Sequence, residues 1–489
     1  MNDQKPSKNT DFDALFFPKN ITIVGASSRR KFGKDIFVHS LSKNGYPKNK
    51  MFLVNPKYAG QQISGFNFYP SLKAIQEEEL DLLYSSIRAE LVPDMVREAV
   101  EKKVKFIVLF TSGFNELLTQ KGYDLRDTVL KIIEGTGTRI IGPNCLGPLC
   151  SKSKVTYNPL VSSESGNIAF ASQSGGHAMI IVEIQKHRSL YFSKGISFGN
   201  QIDVNCLDIL DYYSKDPDTE VIGMYLESTG SANGNQFFQK MKEVTPYKPV
   251  IIWKGGQSET GERAAASHTG AVASPLSVWK NAVKQAGGIF VEESGQFWDL
   301  LYAFSKMVNT KYPKGDRAAV IVPGGGSSVE ITDVMTKEGL QLNELSNETQ
   351  QKLQPLYPDV NTSVRNPIDT GIAAADPSVL IKTAKILDQD EDIDIVLLYM
   401  PAHWINTFGG VLGESFTASI GRSFGRLYRK MSSLFVVISP IFVVDEVVAR
   451  ISTKFREILN DKNVLCFLGV KNASNTLRKI LDYTKFHNK

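Results

Sequence analysis

No stretch of this sequence holds the roughly 20 uninterrupted apolar residues that a bilayer-spanning helix needs. The opening MNDQKPSKNTDFDALFF is polar and lacks the apolar core of a secretory signal. Cysteine is scarce, four in 489 residues. Cys145 and Cys150 have no second pair to complete a zinc site, and Cys206 and Cys466 stand apart, so all four read as reduced thiols of a cytoplasmic protein with no metal. Charge of one sign is also lacking. The net charge is only +5, and the 56 basic residues form no long blocks, which argues against a nucleic-acid partner. The Walker pattern G-x-x-x-x-G-K-[ST] is absent. At 42% apolar and 22% charged residues, the composition is that of an ordinary globular protein with no membrane association.

What is present is alternation. Apolar runs at 21–27, 51–56, 80–87, 105–113 and 138–144 are separated by amphipathic segments near 34–44, 90–103 and 121–134. A second series begins at GNIAFASQSGG (166–176) and continues through VIGMYLEST (221–229) and PVIIWKGG (249–256). A third follows the polar linker KYPKGDR (311–317), with AAVIVPGGG (318–326), DIVLLYMPA (394–402) and SLFVVISP (433–440). Continuous apolar strands alternating with helices predict parallel sheets covered on both faces. The expected fold class is therefore α/β, in three units over 12–150, 151–310 and 315–489.

The turn after the first strand is GASSRRKFGK (25–34), with Gly25, Ser27, Ser28 and Gly33. Small residues leading into a helix expose backbone N–H groups at a positive dipole end, which suits a phosphate. The dinucleotide fingerprint G-x-G-x-x-G would need glycine at Ser27. The acid that binds a ribose at the end of the second strand is also missing, and Lys57 stands in its place. That argues against NAD and fits better a nucleotide with an additional ribose phosphate, as in coenzyme A or NADP, with a plain exposed lysine as the alternative. Further turns fall at strand ends: VNPKYAG, SSI, TSGFNE and GPNCLG, in that order. With YPSL (69–72), they resemble the CoA-binding domain of the succinyl-CoA synthetase superfamily. The resemblance implies that CoA lies across Asn55, Lys57, Ser86, Ser112 and Asn144 as well as the first turn.

The second unit opens on SQSGG (172–176), where the hydroxyls of Ser172 and Ser174 and the N–H groups of Gly175 and Gly176 could hold phosphate or acyl phosphate. A serine N-cap explains the same residues without a ligand. SFGNQID (197–203) reads as a second turn of this kind.

Of six histidines, His268 has the barest surroundings, AAASHTGAVA. A neutral imidazole at pH 7 can attack phosphorus, and small neighbours let a phosphoryl group approach. ASHTGA is similar to the phosphohistidine loop of the ADP-forming acyl-CoA synthetases. A phosphorylated imidazole needs its other nitrogen held, and Glu227, ending the strand VIGMYLE, is the candidate carboxylate. An exposed strand-end glutamate is the alternative. His177, directly after SQSGG, and His403, after LLYMPA, are reserve candidates. His39, His187 and His487 are not.

In the third unit, PGGGSS (323–328) and NPID (366–369) resemble a second ligase domain of the same family. The resemblance thus covers residues 12 to 485. It implies a Rossmann-like CoA-binding domain and two flavodoxin-like domains, forming the α-type subunit of an ADP-forming acyl-CoA synthetase. Its substrates would be CoA, phosphate and a small carboxylic acid or its acyl-CoA. No ATP-grasp module is recognised, so ADP or ATP with Mg2+ is expected on a separate β-type subunit in a hetero-oligomer. Two other classes stay open: an acyl or carbamoyl transferase-like protein, and a non-catalytic CoA-binding regulator. The acyl group is not legible.

Overall fold

The apolar runs become strands buried along their whole length, because helices cover both faces of each sheet. The computed structural model describes residues 11–27, 36–263, 275–308, 310–412, 415–442 and 445–488. Their strands form three sheets.

The first sheet contains β1 (Ile21–Val24), β2 (Met51–Val54), β3 (Gln62–Ile63), β4 (Phe66–Tyr69), β5 (Leu82–Ser85), β6 (Phe106–Leu109) and β7 (Arg139–Ile141). Their order is β3-β4-β2-β1-β5-β6-β7, parallel except for β3. The chain builds outward from β1 in one direction and then resumes at β5 in the other, so the crevice between these two strands is a topological switch point. The helices Val92–Glu101 and Gln120–Ile133 seal one face with Val96, Ala99, Val129 and Ile133 against Leu83, Ile107 and Leu109.

The second sheet contains β8 (Gly147–Leu149), β9 (Ile168–Ser172), β10 (Phe192–Ser197), β11 (Val221–Leu226), β12 (Val250–Lys254) and β13 (Ile289–Val291). The order β13-β12-β11-β9-β10-β8 places its switch point between β9 and β11. Only β8 is antiparallel, pairing with β10. It lies within the segment expected to close the first unit, so the chain enters the second sheet before residue 150. The third sheet is wholly parallel: β14 (Ala318–Val322), β15 (Ile368–Asp369), β16 (Ile395–Tyr399), β17 (Leu434–Ile438) and β18 (Leu465–Phe467), in the order β15-β14-β16-β17-β18.

The chain divides into two compact units. The first two lie in one compact unit, Met1–Glu292, and the third in another, Glu293–Lys489. The helix Ser294–Met307 is grouped with the third sheet. It packs on the helix Val470–His487, and the buried Tyr302 accepts a hydrogen bond from the Cys466 N–H of β18 at 2.9 Å. No helix among the described residues is long and apolar enough to cross a membrane.

Candidate active site

At the carboxyl edge of the first sheet lie Gly25, Ser27, Asn55, Lys57, Ser86, Ser112 and Asn144. Gly25 ends β1 with φ +91°. A Cβ there would lie 3.0 Å from Ile87 Cγ2 and 3.2 Å from the Ser86 backbone, so only glycine lets the end of β5 pass this close. Asn55 clamps two turns: its Nδ2 donates to the Ala26 carbonyl at 2.7 Å, and its Oδ1 accepts from the Lys57 N–H at 3.0 Å. The Ser86 hydroxyl donates to the Val24 carbonyl at 3.3 Å, and the Asn144 N–H to the Thr111 carbonyl at 3.1 Å. Asn55 and Ser86 therefore shape the edge, whereas Lys57 and Ser112 are exposed on it. Ser27 lies at the same edge; Ser28 and Gly33 lie outside the described residues.

A cleft of about 510 Å³ opens at the ends of β5 and β6, lined by Ser86, Arg88, Ser112, Gly113, Thr119 and Lys121 among others. That volume is in the range of small-molecule sites. Its two cations, Arg88 and Lys121, were missed from sequence; both stand in loop or helix-start segments where a lone basic residue carries no signal. Lys121 pairs with Glu90 at 2.8 Å.

At the second switch point, SQSGG and Glu227 come together. The Ser172 hydroxyl donates to the Ser174 carbonyl at 2.7 Å, and Ser174 caps the helix Gly175–Arg188 by accepting from the His177 N–H at 3.4 Å. Both hydroxyls thus hold the turn, and the N–H groups of Gly175 and Gly176 belong to the first helical turn, whose donors have no intrahelical partner. The buried Gln173 joins this turn to β11. Its Oε1 accepts from the N–H groups of Glu227 at 2.7 Å and Ser228 at 3.1 Å. Glu227 is half-buried, and its Oε1 accepts from the Tyr225 hydroxyl at 3.2 Å. His268 lies outside the described residues.

His177 packs its ring 4.5 Å from the Tyr225 ring and 4.5 Å from the Trp253 ring. Burial holds its pKa below the ordinary histidine value. A depressed folded-state pKa means that the unfolded chain binds the proton more readily. The neutral ring's stability is therefore complete above the unfolded value of about 6.5 and is lost as pH falls from there towards the folded value. His177→Leu should flatten the fall in stability below about pH 6.5, read by denaturant melts from pH 5 to 8. An unchanged slope would exclude His177 as a source of that dependence.

The two edges are joined within one compact unit. The Leu146 N–H donates to the Ser197 hydroxyl at 3.2 Å, the Asn200 N–H to the Pro143 carbonyl at 3.0 Å, and Asn200 Nδ2 to Glu116 Oε2 at 2.8 Å. Arg139 donates to Asp203 at 3.0 and 3.1 Å and to Asp208 at 3.1 Å. The segment SFGNQID, expected to be a second anion turn, therefore serves as the fastening between sheets. Its Ser197, Asn200 and Asp203 bond to the end of the first sheet, and Gln201 donates to the Ser228 carbonyl at 3.1 Å. This brings GPNCLG beside SQSGG: a Cβ on Gly175 would lie 3.7 Å from Leu146 Cδ1.

The reserve residue His403 is placed on the third sheet, in the helix Ala402–Leu412 after β16, with its ring 5.8 Å from Phe442. Among the described residues, no cluster of histidine, cysteine and carboxylate side chains could hold a metal ion. The four cysteines are buried thiols.

A parallel sheet with a small-molecule-sized cleft at the ends of β5 and β6, fastened to a second sheet whose switch point carries a Ser/Gly turn and a carboxylate, is the architecture of an α/β enzyme that handles anionic ligands. Residues 19–150 match the family of CoA binding domains, and residues 165–304 the succinyl-CoA ligase like flavodoxin domain. The chain is 33% identical over 386 residues to the α subunit of acetate–CoA ligase (ADP-forming) II from Pyrococcus furiosus, covering 79% of this chain and 81% of that subunit. It is also 33% identical over 389 residues to acetate–CoA ligase (ADP-forming) I from Archaeoglobus fulgidus; there it spans 79% of itself but only 54% of the longer relative. A solved structure of dinucleotide forming acetyl-coenzyme A synthetase 1 from Ca. Korarchaeum cryptofilum, in complex with phosphate and ADP, superposes with a TM-score of 0.81, 26% identity and 98% coverage of both chains. The chain belongs to the ADP-forming acyl-CoA synthetases of the succinyl-CoA synthetase superfamily.

Proposed function

We propose that this chain carries out the thioester half of the ADP-forming reaction. The observation that carries this reading is the junction of the CoA-type edge with the SQSGG–Glu227 edge inside one compact unit. A phosphate oxygen attacks the thioester carbonyl, the C–S bond breaks, and CoA leaves and takes up a proton. An imidazole nitrogen of His268 then attacks phosphorus in the acyl phosphate. The P–O bond to the acyl group breaks and the carboxylate departs. Transfer to ADP breaks the P–N bond and forms ATP. The chain's share is positioning and charge stabilisation. CoA lies along Gly25, Ser27, Ser28, Gly33, Asn55, Lys57, Ser86, Ser112 and Asn144, with Arg88 and Lys121 as cations in the cleft. Phosphate lies at Ser172, Ser174, Gly175 and Gly176, and Glu227 orients His268.

We read the chain as three domains, 12–150, 151–310 and 315–489, acting as an α-type subunit. ADP or ATP and Mg2+ then belong to an ATP-grasp polypeptide, a division supported by the relative named as an α subunit and by the longer single-chain relative. Purified chain mixed with acetyl-CoA and phosphate should release CoA once per chain without nucleotide, read by thiol titration. The same chain with ATP, Mg2+, CoA and a broad panel of carboxylates should make no thioester. Multiple turnovers in the second assay would refute the separate subunit. No CoA release across an acyl-CoA panel would refute the half-reaction.

A further inference from the structure

The carboxylate at the second switch point has a neighbour that the reaction scheme above does not use. We propose that Tyr225 is a positioning residue for Glu227, fixing the carboxylate through its hydroxyl. This rests on the reading that Glu227 orients His268.

Tyr225 and Glu227 are two residues apart at the end of β11. Alternation along a strand puts both side chains on one face. There the phenol donates to Glu227 Oε1 at 3.2 Å. The phenol ring cannot swing away. The Trp253 ring stands 4.6 Å from it and the His177 ring 4.5 Å, and Trp253 is the cross-strand partner of Tyr225 on β12. The next turn is cut to fit the pair: a Cβ on Gly255 would lie 2.4 Å from the Tyr225 hydroxyl and 3.0 Å from Glu227 Cγ. Gln173 meanwhile grips the backbone of Glu227. Glu227 is thus held at its backbone N–H, which donates to Gln173, and at one carboxylate oxygen, which accepts from Tyr225.

The chemistry of the donor suits the task. Burial and the Glu227 charge push the phenol's pKa up, so the hydroxyl keeps its proton throughout the working pH range. A carboxylate accepting from a neutral phenol keeps its negative charge, and two oxygens accept more than one donor. It can therefore take an imidazole N–H while the phenol sets its direction. Lys254, at the end of β12, also interacts electrostatically with Glu227, while its own burial lowers its pKa.

The test follows single-turnover labelling of the whole chain by acetyl-CoA and radioactive phosphate. Tyr225→Phe keeps the ring and removes the hydroxyl. A hydrogen bond to a charged group is of a strength that predicts labelling slower by about tenfold or more. Two further readouts separate positioning from mere structure. The loss should fall on the labelling rate and leave the affinity for acetyl-CoA unchanged, because the phenol stands at the second sheet and not at the CoA-type edge. Adding Tyr225→Phe to Glu227→Gln should slow labelling no further, since the phenol acts through the carboxylate. Wild-type labelling rates in Tyr225→Phe, or full additivity with Glu227→Gln, would overturn the proposal and leave the phosphohistidine reading standing. If Glu227→Gln labels as wild type, the role of Glu227 falls and the proposal with it. If wild-type chain takes no label, the phosphohistidine reading itself is wrong.

Discussion

His268→Ala should reduce the acid-labile, base-stable phosphoryl label on this chain to background. Acyl phosphate reacts with a neutral nitrogen nucleophile, and the ASHTGA segment is the one place where a histidine stands among residues too small to obstruct a phosphoryl group. His177 follows the anion turn directly, but it is wedged between Tyr225 and Trp253, and its backbone N–H is engaged by the Ser174 cap. It is thus placed to support the turn. Glu227→Gln should slow labelling by about 10–100-fold, the range seen when a histidine loses an orienting carboxylate, while CoA binding at the first sheet is unchanged. Wild-type labelling of the His268→Ala chain would remove His268 as the carrier. His177→Ala would then be the next variant to measure.

Arg139→Ala should destabilise the first unit by about 3–5 kcal/mol, the cost typical of removing one partner from a buried ion pair. The Arg139 side chain is 7% exposed and meets Asp203, itself 13% exposed, and Asp208. Asp203 also accepts from the Ile140 N–H at 2.8 Å, so removing the guanidinium leaves a carboxylate inside a junction that has no other cation on it among the described residues. Asp208 makes the loss worse. Burial already raises its pKa, and Arg139, together with the Asn205 N–H, opposes this. Because Arg139 opens β7 of the first sheet, Asp203 belongs to the fastening segment and Asp208 to the helix Cys206–Lys215 that follows it, activity should fall together with stability. Urea denaturation of wild type and variant measures the difference. A change below about 1 kcal/mol, the size of an exposed pair, would show that the junction is held by its backbone bonds alone.

Much of the architecture was legible because parallel strands covered on both faces are written as unbroken apolar runs. β1, β2, β5, β6, β9, β11, β12, β14, β16 and β17 all fall within such runs. The short edge strands were not. β15 is two residues long and β8 is three, Gly-Pro-Leu, and neither length nor composition distinguishes them from loop. The grouping of the first two sheets into one compact unit was hidden for another reason. It rests on polar pairs such as Arg139 with Asp203, 64 residues apart, and Asn200 with Glu116, 84 apart, which leave no periodic trace.

The sequence by itself determined the class of fold and the chemical types at each strand end: small residues where phosphate is to approach, one histidine among alanines, one carboxylate closing a strand. Those follow from composition and local pattern, which act over a few residues. Only the tertiary structure decided which of these residues also hold the scaffold. Asn55, Ser172, Ser197, Asn200 and Asp203 read as groups at ligand turns and also bond within the protein, whereas Gln173 and Tyr225 were passed over and stand against Glu227. The physical reason is that a polar side chain near buried backbone satisfies the nearest unpaired donor or acceptor. Which one is nearest depends on strand order and on the meeting of two sheets, and neither is encoded within any single stretch of chain.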